Sequence, residues 1–284
     1  MTRTKSEKAT TERARRFELS SQNRSPLYHQ IYLILRSRIF DGEYGPGEYL
    51  PGERDLEAMF KVSRITAVRA LNELAAAGLV VRERGRGTRV QFIGSGTVVR
   101  GPAGASDTAA QVKGGLPGGQ LLTEALLDSR HSSGKAEVTV HDFDYITPSP
   151  AIAAALRLTK SQVVQYATRV WRFEGLPFNY VITYVPQHIG KNWSRRDLAS
   201  TPLRDLLTRS GVVVSLVQEQ VTATLADSLL SQRLDVAIGS PILKIRRTTF
   251  DEDGKPVEHL TGFYPPDRYH YEVSLPYGSG GRFG

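Results

Sequence analysis

The chain has 284 residues, 40% hydrophobic and 23% charged, which is room for about two globular domains. It contains no cysteine, which excludes disulfides, cysteine nucleophiles and thiolate metal sites, and no apolar run approaches the ~18 residues of a membrane span. The net charge of +8 points to a polyanionic partner, and about half of the excess lies in residues 1–24, with seven basic and three acidic side chains. That segment reads as a disordered basic arm, with phosphate contacts as the alternative. It is polar and lacks the apolar core of a signal peptide, so the expected location is the cytoplasm, with no membrane partner.

Residues 25–92 form one periodic unit. Leu27, Tyr28, Ile31, Leu35 and Ile39 recur at three- and four-residue steps, the spacing of one helix face. Asp41-Gly42 and Gly45-Pro46-Gly47 end that helix. Gly52 leads into a short helix over 53–60, with Glu53 and Asp55 at its positive end. A third helix starts after Ser63, a good N-cap, carries Ile65, Val68, Leu71 and Leu74, and closes at Gly78. Residues 79–83 and 88–92 then read as two short strands about the turn Arg84-Gly85-Arg86-Gly87. Three helices followed by a hairpin, with a tight turn between the second and third helices, make a winged helix-turn-helix.

Such a unit works by placing the N-terminal side chains of its last helix in the major groove. Here these are Ser63, Arg64, Ile65 and Thr66. Arg64 suits a bidentate contact to guanine. Ser63 and Thr66 suit phosphates or bases, and Ile65 suits either a thymine methyl or the core. Arg54 is placed to hold a phosphate. Arg84, Arg86 and Arg89 give the hairpin a basic surface with a glycine tip, able to approach a minor groove.

Residues 93–120 hold eight glycines and two prolines and read as a flexible linker. A short amphipathic helix is expected over 121–129. From about residue 136 the chain is β-rich. Strands are expected over 137–145, 163–173, 178–185, 212–224, 242–250, 257–264 and 269–275, and helices over 150–156, 202–209 and 227–234. Glu174-Gly175 and the run Asp251 to Gly254 mark two hairpins. The fold class is α+β, with a mainly antiparallel sheet in the second domain. Tyr180 and Tyr184 share one strand face and read as sheet packing. In Arg246-Arg247 one arginine is expected to be exposed and the other paired. The six histidines show no metal-binding spacing, and nucleophile-elbow and P-loop motifs are absent. No metal, cofactor or catalytic constellation is expected.

The run from Leu50 to Leu56, that from Val62 to Leu71, and the stretch from Leu74 to Thr88 resemble the DNA-binding domain of GntR-family transcription regulators. The resemblance implies DNA contacts by Arg54, Ser63, Arg64, Thr66, Gly85 and Arg86. Gly52 departs from it, standing where that family usually has a serine cap. Tyr184-Val185-Pro186, the run from Gly239 to Leu243, Arg246-Arg247-Thr248, residues 251–258 and Asp267-Arg268-Tyr269 resemble the UTRA effector domain of the HutC subfamily. That implies a chorismate-lyase-like fold over residues 121–275, a homodimer, and a small-molecule effector. Residues 276–284 are expected to be a disordered tail.

Matched by position, the effector residues are Arg169, Trp171, Val181, Glu258 and Tyr264. In sugar-phosphate-binding relatives Trp171 is a second arginine and Val181 an acid. Losing an arginine removes a bidentate phosphate partner, and tryptophan adds a flat apolar surface. The expected effector therefore has one anionic group, a carboxylate before a sugar phosphate, and an apolar body. The reading is a non-enzymatic, effector-responsive regulator, a repressor released from a palindromic operator. The alternatives are an enzyme acting on a small organic acid and a ligand-insensitive DNA-binding protein.

Overall fold

The computed structural model describes Leu19 and residues 25–83, 85–91, 136–159 and 161–269. The expected arm over 1–24, the linker over 93–120, the helix over 121–129, the tail and the last strand beyond Tyr269 lie outside the described residues.

The first helix, α1 (Leu27–Phe40), buries Ile31, Ile34, Leu35 and Ile39, while Leu27 in its first turn stays exposed. Helix α2 (Glu53–Phe60) starts at Gly52, which has no side chain to cap it; instead the Asp55 carboxylate accepts the Gly52 N–H at 3.0 Å. Lys61, in the left-handed conformation (φ 52°), ends α2 and makes the tight turn. Helix α3 (Arg64–Ala76) starts at Ser63, whose hydroxyl accepts the Thr66 N–H at 3.4 Å.

The buried face of α3 differs from the expected one. It consists of Ala67, Ala70, Leu71 and Leu74, and Ile65 is 81% exposed. Ile65 lies about 200° around the helix from Ala67. Ala67, Ala70, Leu71 and Leu74 share one core cluster with Ile31, Ile34 and Leu35 of α1, and Ile65 is left outside it.

Strands β1 (Val80–Glu83) and β2 (Gly87–Val90) form the antiparallel wing. The loop before α2 fastens it: Gly47 N–H donates to Val90 O, Val90 N–H to Glu48 O and Leu50 N–H to Thr88 O, at 2.8–3.0 Å.

In the second domain, strands β3 (Ala136–Ile146), β4 (Val164–Phe173), β5 (Leu176–Pro186), β6 (Val214–Leu225), β7 (Pro241–Asp251) and β8 (Pro256–Tyr264) form one sheet in the order β3-β4-β5-β8-β7-β6. Every neighbouring pair among these described strands is antiparallel. Glu174 and Gly175 both have positive φ (50° and 81°), as a two-residue hairpin requires. Helix α4 (Pro150–Ala155) follows β3. Helix α5 (Gln187–Gly190) follows β5, and then come α6 (Arg195–Ser200) and α7 (Leu203–Arg209). Helices α6 and α7 cover one end of one sheet face, where Leu198, Leu203, Leu206 and Leu207 pack on Val140, Ala167 and Val185. Helix α8 (Ser228–Leu234) covers the opposite face, with Leu230 and Leu234 against Val170, Tyr180 and Phe263. Tyr180 and Tyr184 are both buried in packing, as their spacing suggested.

The two domains touch at the end of α1. Asp41 caps that helix at its negative end, a position that favours cations. Two cations of β7 compensate it: Lys244 pairs with the Asp41 carboxylate, and Arg246 lies 3.7 Å from it while donating to the Phe40 carbonyl at 3.3 Å. The Lys244 side chain is only 5% exposed, so Asp41 is what keeps a buried ammonium tolerable. Burial pulls its pKa down, and the Asp41 charge opposes that.

On the same sheet face, burial, reinforced by the Arg246 charge, holds His259 down at about 4. An unfolded histidine takes a proton near pH 6.5. Between these values the unfolded chain binds more protons. The His259 contribution is therefore complete above about pH 6.5 and lost as pH falls towards 4. Urea titrations between pH 4.5 and 7 should give a flatter stability profile for His259→Asn than for the wild type, by about 2–3 kcal/mol across the window. Parallel profiles would contradict this account of His259.

Candidate DNA interface and effector site

The six positions expected to meet DNA lie on the outer surface of the first domain. Arg54, Ser63, Arg64, Gly85 and Arg86 are exposed, and Thr66 is half-buried. The Ser63 and Thr66 hydroxyls are 2.9 Å apart and bond to each other. Gly85 (φ +75°) and Gly87 (φ +117°) make the wing turn, a backbone that side chains rarely adopt. The wing is braced from behind: Arg89 Nε donates to Glu83 Oε1 at 2.8 Å, and the Tyr49 hydroxyl donates to Glu83 Oε2 at 3.1 Å. These bonds hold Glu83 well below the usual carboxylate range, the Arg89 bond first. Exposed Ile65 joins the outer face of α3, beside Arg64, Val68, Arg69 and Asn72.

In the second domain, strand pairing brings the five expected effector residues to one sheet face. Arg169 is opposite Val181, and Val181 is opposite Gly262. Trp171, two residues along β4, packs with Val181, Leu260 and Val138. Glu258 and Tyr264 lie on β8, four residues before and two after Gly262 respectively, on the same side of the strand.

The centre of this face is buried and charged. Arg169 is 3% exposed, and burial lowers it to about 10 against the opposing pull of Glu258. Burial pushes Glu258 above the usual carboxylate range, opposed by Arg247, by the Thr249 hydroxyl, which donates at 2.9 Å, and by Arg169. Arg247 is engaged by Glu219, through Nε at 2.7 Å and through a terminal nitrogen. The face thus carries two cations and two acids. Arg169 Nε and Glu258 Oε1 are buried with no hydrogen-bond partner among the described residues. Unmet buried donors and acceptors are uncommon, and they mark places where a further group can bind.

Sequence reading missed Arg247, Glu219, Thr249 and Asn179 on this face. Arg247 was visible as half of an arginine pair, and its inward direction follows from strand alternation once the register is known. Gly262 was missed too. The Tyr264 ring lies over it, and a Cβ there would meet that ring at 2.6 Å. Tyr264 in turn packs on Tyr269, with ring centres 4.3 Å apart, and on Phe178.

A winged helix-turn-helix joined to a sheet domain with a buried, partly unsatisfied polar centre defines a DNA-binding regulator with a ligand-binding domain. Residues 27–90 match the family of bacterial regulatory proteins called the gntR family, and residues 132–270 match the UTRA domain. The chain belongs to the GntR family, in its UTRA-containing branch, and is an effector-responsive, DNA-binding transcription regulator. It is 25% identical over 255 residues to the HTH-type transcriptional repressor NagR of Bacillus subtilis, covering 89% of this chain and 96% of that protein. It is 26% identical over 242 residues to the transcriptional regulator GmuR of the same organism, covering 85% and 95%. The solved structure of PhnF from Mycobacterium smegmatis is 19% identical, with a TM-score of 0.48, over 87% of this chain and all of that one. Among the described residues no helix is long and apolar enough to cross a membrane.

Gly262→Ala should push the Tyr264 ring off the sheet. The expected cost is about 1–3 kcal/mol of stability in urea, the usual cost of overpacking, with an altered near-ultraviolet tyrosine signal. Unchanged stability and spectrum would mean that the ring does not lie on this glycine.

Proposed function

We propose that the protein is a homodimeric cytoplasmic repressor, released from a palindromic operator by a small monoanionic effector with an apolar or aromatic body. The observation that carries the effector class is the composition of the buried sheet face. It carries two cations, of which Arg247 is already engaged by Glu219, and burial pushes its second acid, Glu258, towards the neutral form. Arg169 therefore supplies charge for one anionic group, and Trp171, Val181 and Leu260 supply an apolar wall for the rest of the ligand. A dianionic sugar phosphate would lack a second free cation there, which favours a carboxylic acid. In this reading Arg169, Trp171, Val181, Glu258 and Tyr264 bind the effector. Arg54, Ser63, Arg64, Thr66, Gly85 and Arg86 bind DNA. The name of the relative NagR supports repression as the mode of action.

A second copy fits the β6 edge. This 12-residue strand ends the sheet among the described residues, and it exposes Leu216, Val217 and Val221. It has no Lys, Arg or Pro, the residues that normally guard an edge, and its one charge, Glu219, is occupied by Arg247. Antiparallel pairing of two such edges is symmetric and would set two winged helices at one fixed spacing on a palindrome.

Strand β7 links the two sites. Arg247 faces the effector centre, while Lys244 and Arg246 face Asp41 and the end of α1. An effector that rearranges the Arg247–Glu219–Glu258 group then biases the contact that orients the DNA-binding domain. Its effect on DNA affinity is limited to its difference in affinity for the two arrangements.

Thermal-shift titrations test the effector class. One panel holds aromatic and aliphatic monocarboxylates and the other holds sugar phosphates. A ligand of the folded state raises Tm once its concentration exceeds its Kd. A carboxylate hit that Arg169→Ala abolishes, with operator affinity unchanged, is expected. A sugar-phosphate hit with no carboxylate hit would contradict the pocket reading. A carboxylate hit that the protein converts to product would favour the catalytic alternative, and operator binding insensitive to every ligand would favour a constitutive DNA-binding protein. For the dimer, light scattering should report two chains for the wild type and one for Val217→Lys/Val221→Lys; a double variant that stays dimeric removes β6 from the interface.

A further inference from the structure

Glu53, the first residue of α2, has no assigned part in DNA reading. Its carboxylate lies between the start of α3 and the wing. Oε2 accepts from Arg64 Nε at 3.0 Å, and Oε1 pairs with Arg82. Arg82 Nη1 donates in turn to Asn72 Oδ1 at 2.6 Å. Glu53, Arg64, Ile65, Val68, Arg69 and Asn72 line one open groove on the outer face of α3.

Three physical observations bear on an acid in this place. A carboxylate on a face that meets phosphates is repelled by them. Exposed ion pairs add little to stability, and the Arg64 side chain is 73% exposed, so the pair adds little to folding beyond what α2 gains from an acid at its positive end. Finally, the carboxylate is not suppressed by protonation: the Arg64 hydrogen bond, followed by the Arg82 bond, holds its pKa below the usual range.

What the pair does is restrict Arg64. A guanidinium has one Nε donor and two terminal nitrogens. With Nε held by Glu53, the terminal nitrogens remain free as a pair, the set that meets O6 and N7 of guanine end-on. Arg82, held at both ends by Glu53 and Asn72, is kept from serving as a loose phosphate ligand. The same carboxylate thus orients the base-reading arginine and withdraws positive charge from sequence-independent binding.

We propose that Glu53 is a positioning residue for specificity. It weakens binding to arbitrary DNA and sharpens discrimination by fixing how Arg64 is presented. This rests on Arg64 reading a base.

The test uses the full-length chain. A preferred duplex is selected from a random library with the wild type. Its affinity and that of a shuffled duplex are then measured at several salt concentrations for wild type, Glu53→Gln, Arg64→Ala and the double variant. Glu53→Gln should tighten binding to the shuffled duplex several-fold. Its salt slope there should be steeper by about 1–2, as one or two released arginines reach phosphates. The ratio of selected to shuffled affinity should fall about tenfold, within the range of a lost bidentate base contact. In the Arg64→Ala background, Glu53→Gln should change that ratio no further. The proposal is overturned if the ratio is unchanged, or if both affinities fall together with Tm, the pattern of a residue that only supports α2. It is also overturned if Glu53→Gln lowers the ratio equally with and without Arg64. A selection that enriches no sequence would instead remove Arg64 as a base reader, and this proposal with it.

Discussion

Alternation along strand β7 is the constraint on which the rest depends. Successive side chains point to opposite sides of a sheet. Arg247 therefore lies beside Glu219 and buried Glu258 on one face, while Lys244 and Arg246 reach Asp41 on the other. A slip of one residue would exchange the two sets and bury the wrong cations. Pairing with β6 and β8 on both sides fixes that register over most of the strand, from Leu243 to Thr249. Two charge clusters, one facing the DNA-binding domain and one at the proposed effector centre on the opposite face, are thus held by a single stretch of backbone.

Each cluster is costly alone and tolerable as a set. Lys244 and Arg169 are buried cations and Glu258 a buried acid, and a buried charge is retained only where opposite charges and hydrogen bonds compensate it. The compensation at the centre of the Arg169 face is incomplete, since Arg169 Nε and Glu258 Oε1 have no hydrogen-bond partner among the described residues. In the proposed reading the ligand completes it, so binding and rearrangement of the centre are one event. The first domain handles charge in the same manner at smaller cost. Glu53 and Glu83 restrain arginines at the surface, where water shares the load.

Much of this was legible in the residues. The helical spacing in the first domain, the Ser63 cap, the Gly78 stop and the glycine wing are local signals, and the structure places these elements within a few residues of expectation. The two hairpins were also local. The sheet order was not, because β5 pairs with β8, and sequence periodicity carries no information about a partner some eighty residues away. Helix α6 escaped notice although Ser194 and Asp197 form a reciprocal cap that sequence displays. For Ile65 the sequence left core and base contact open, and its exposure follows from a buried face made by Ala67, Ala70, Leu71 and Leu74. Lys244 and Asp41, 203 positions apart, could be paired only in three dimensions. For the effector face, the positions were reached by resemblance; their grouping on one side of the sheet follows from register.

The central claim is that the Asp41–Lys244 contact transmits effector binding to DNA. The direct measurement is the affinity for the selected operator duplex, with and without a saturating carboxylate effector, in the wild type and in Asp41→Asn/Lys244→Met. That variant removes the pair as a unit and leaves Arg246, whose side chain is 29% exposed, to water. The account predicts that each ligand still binds with near wild-type affinity, while the effector no longer changes operator affinity. A variant whose operator affinity falls on effector binding by the same factor as in the wild type would contradict it.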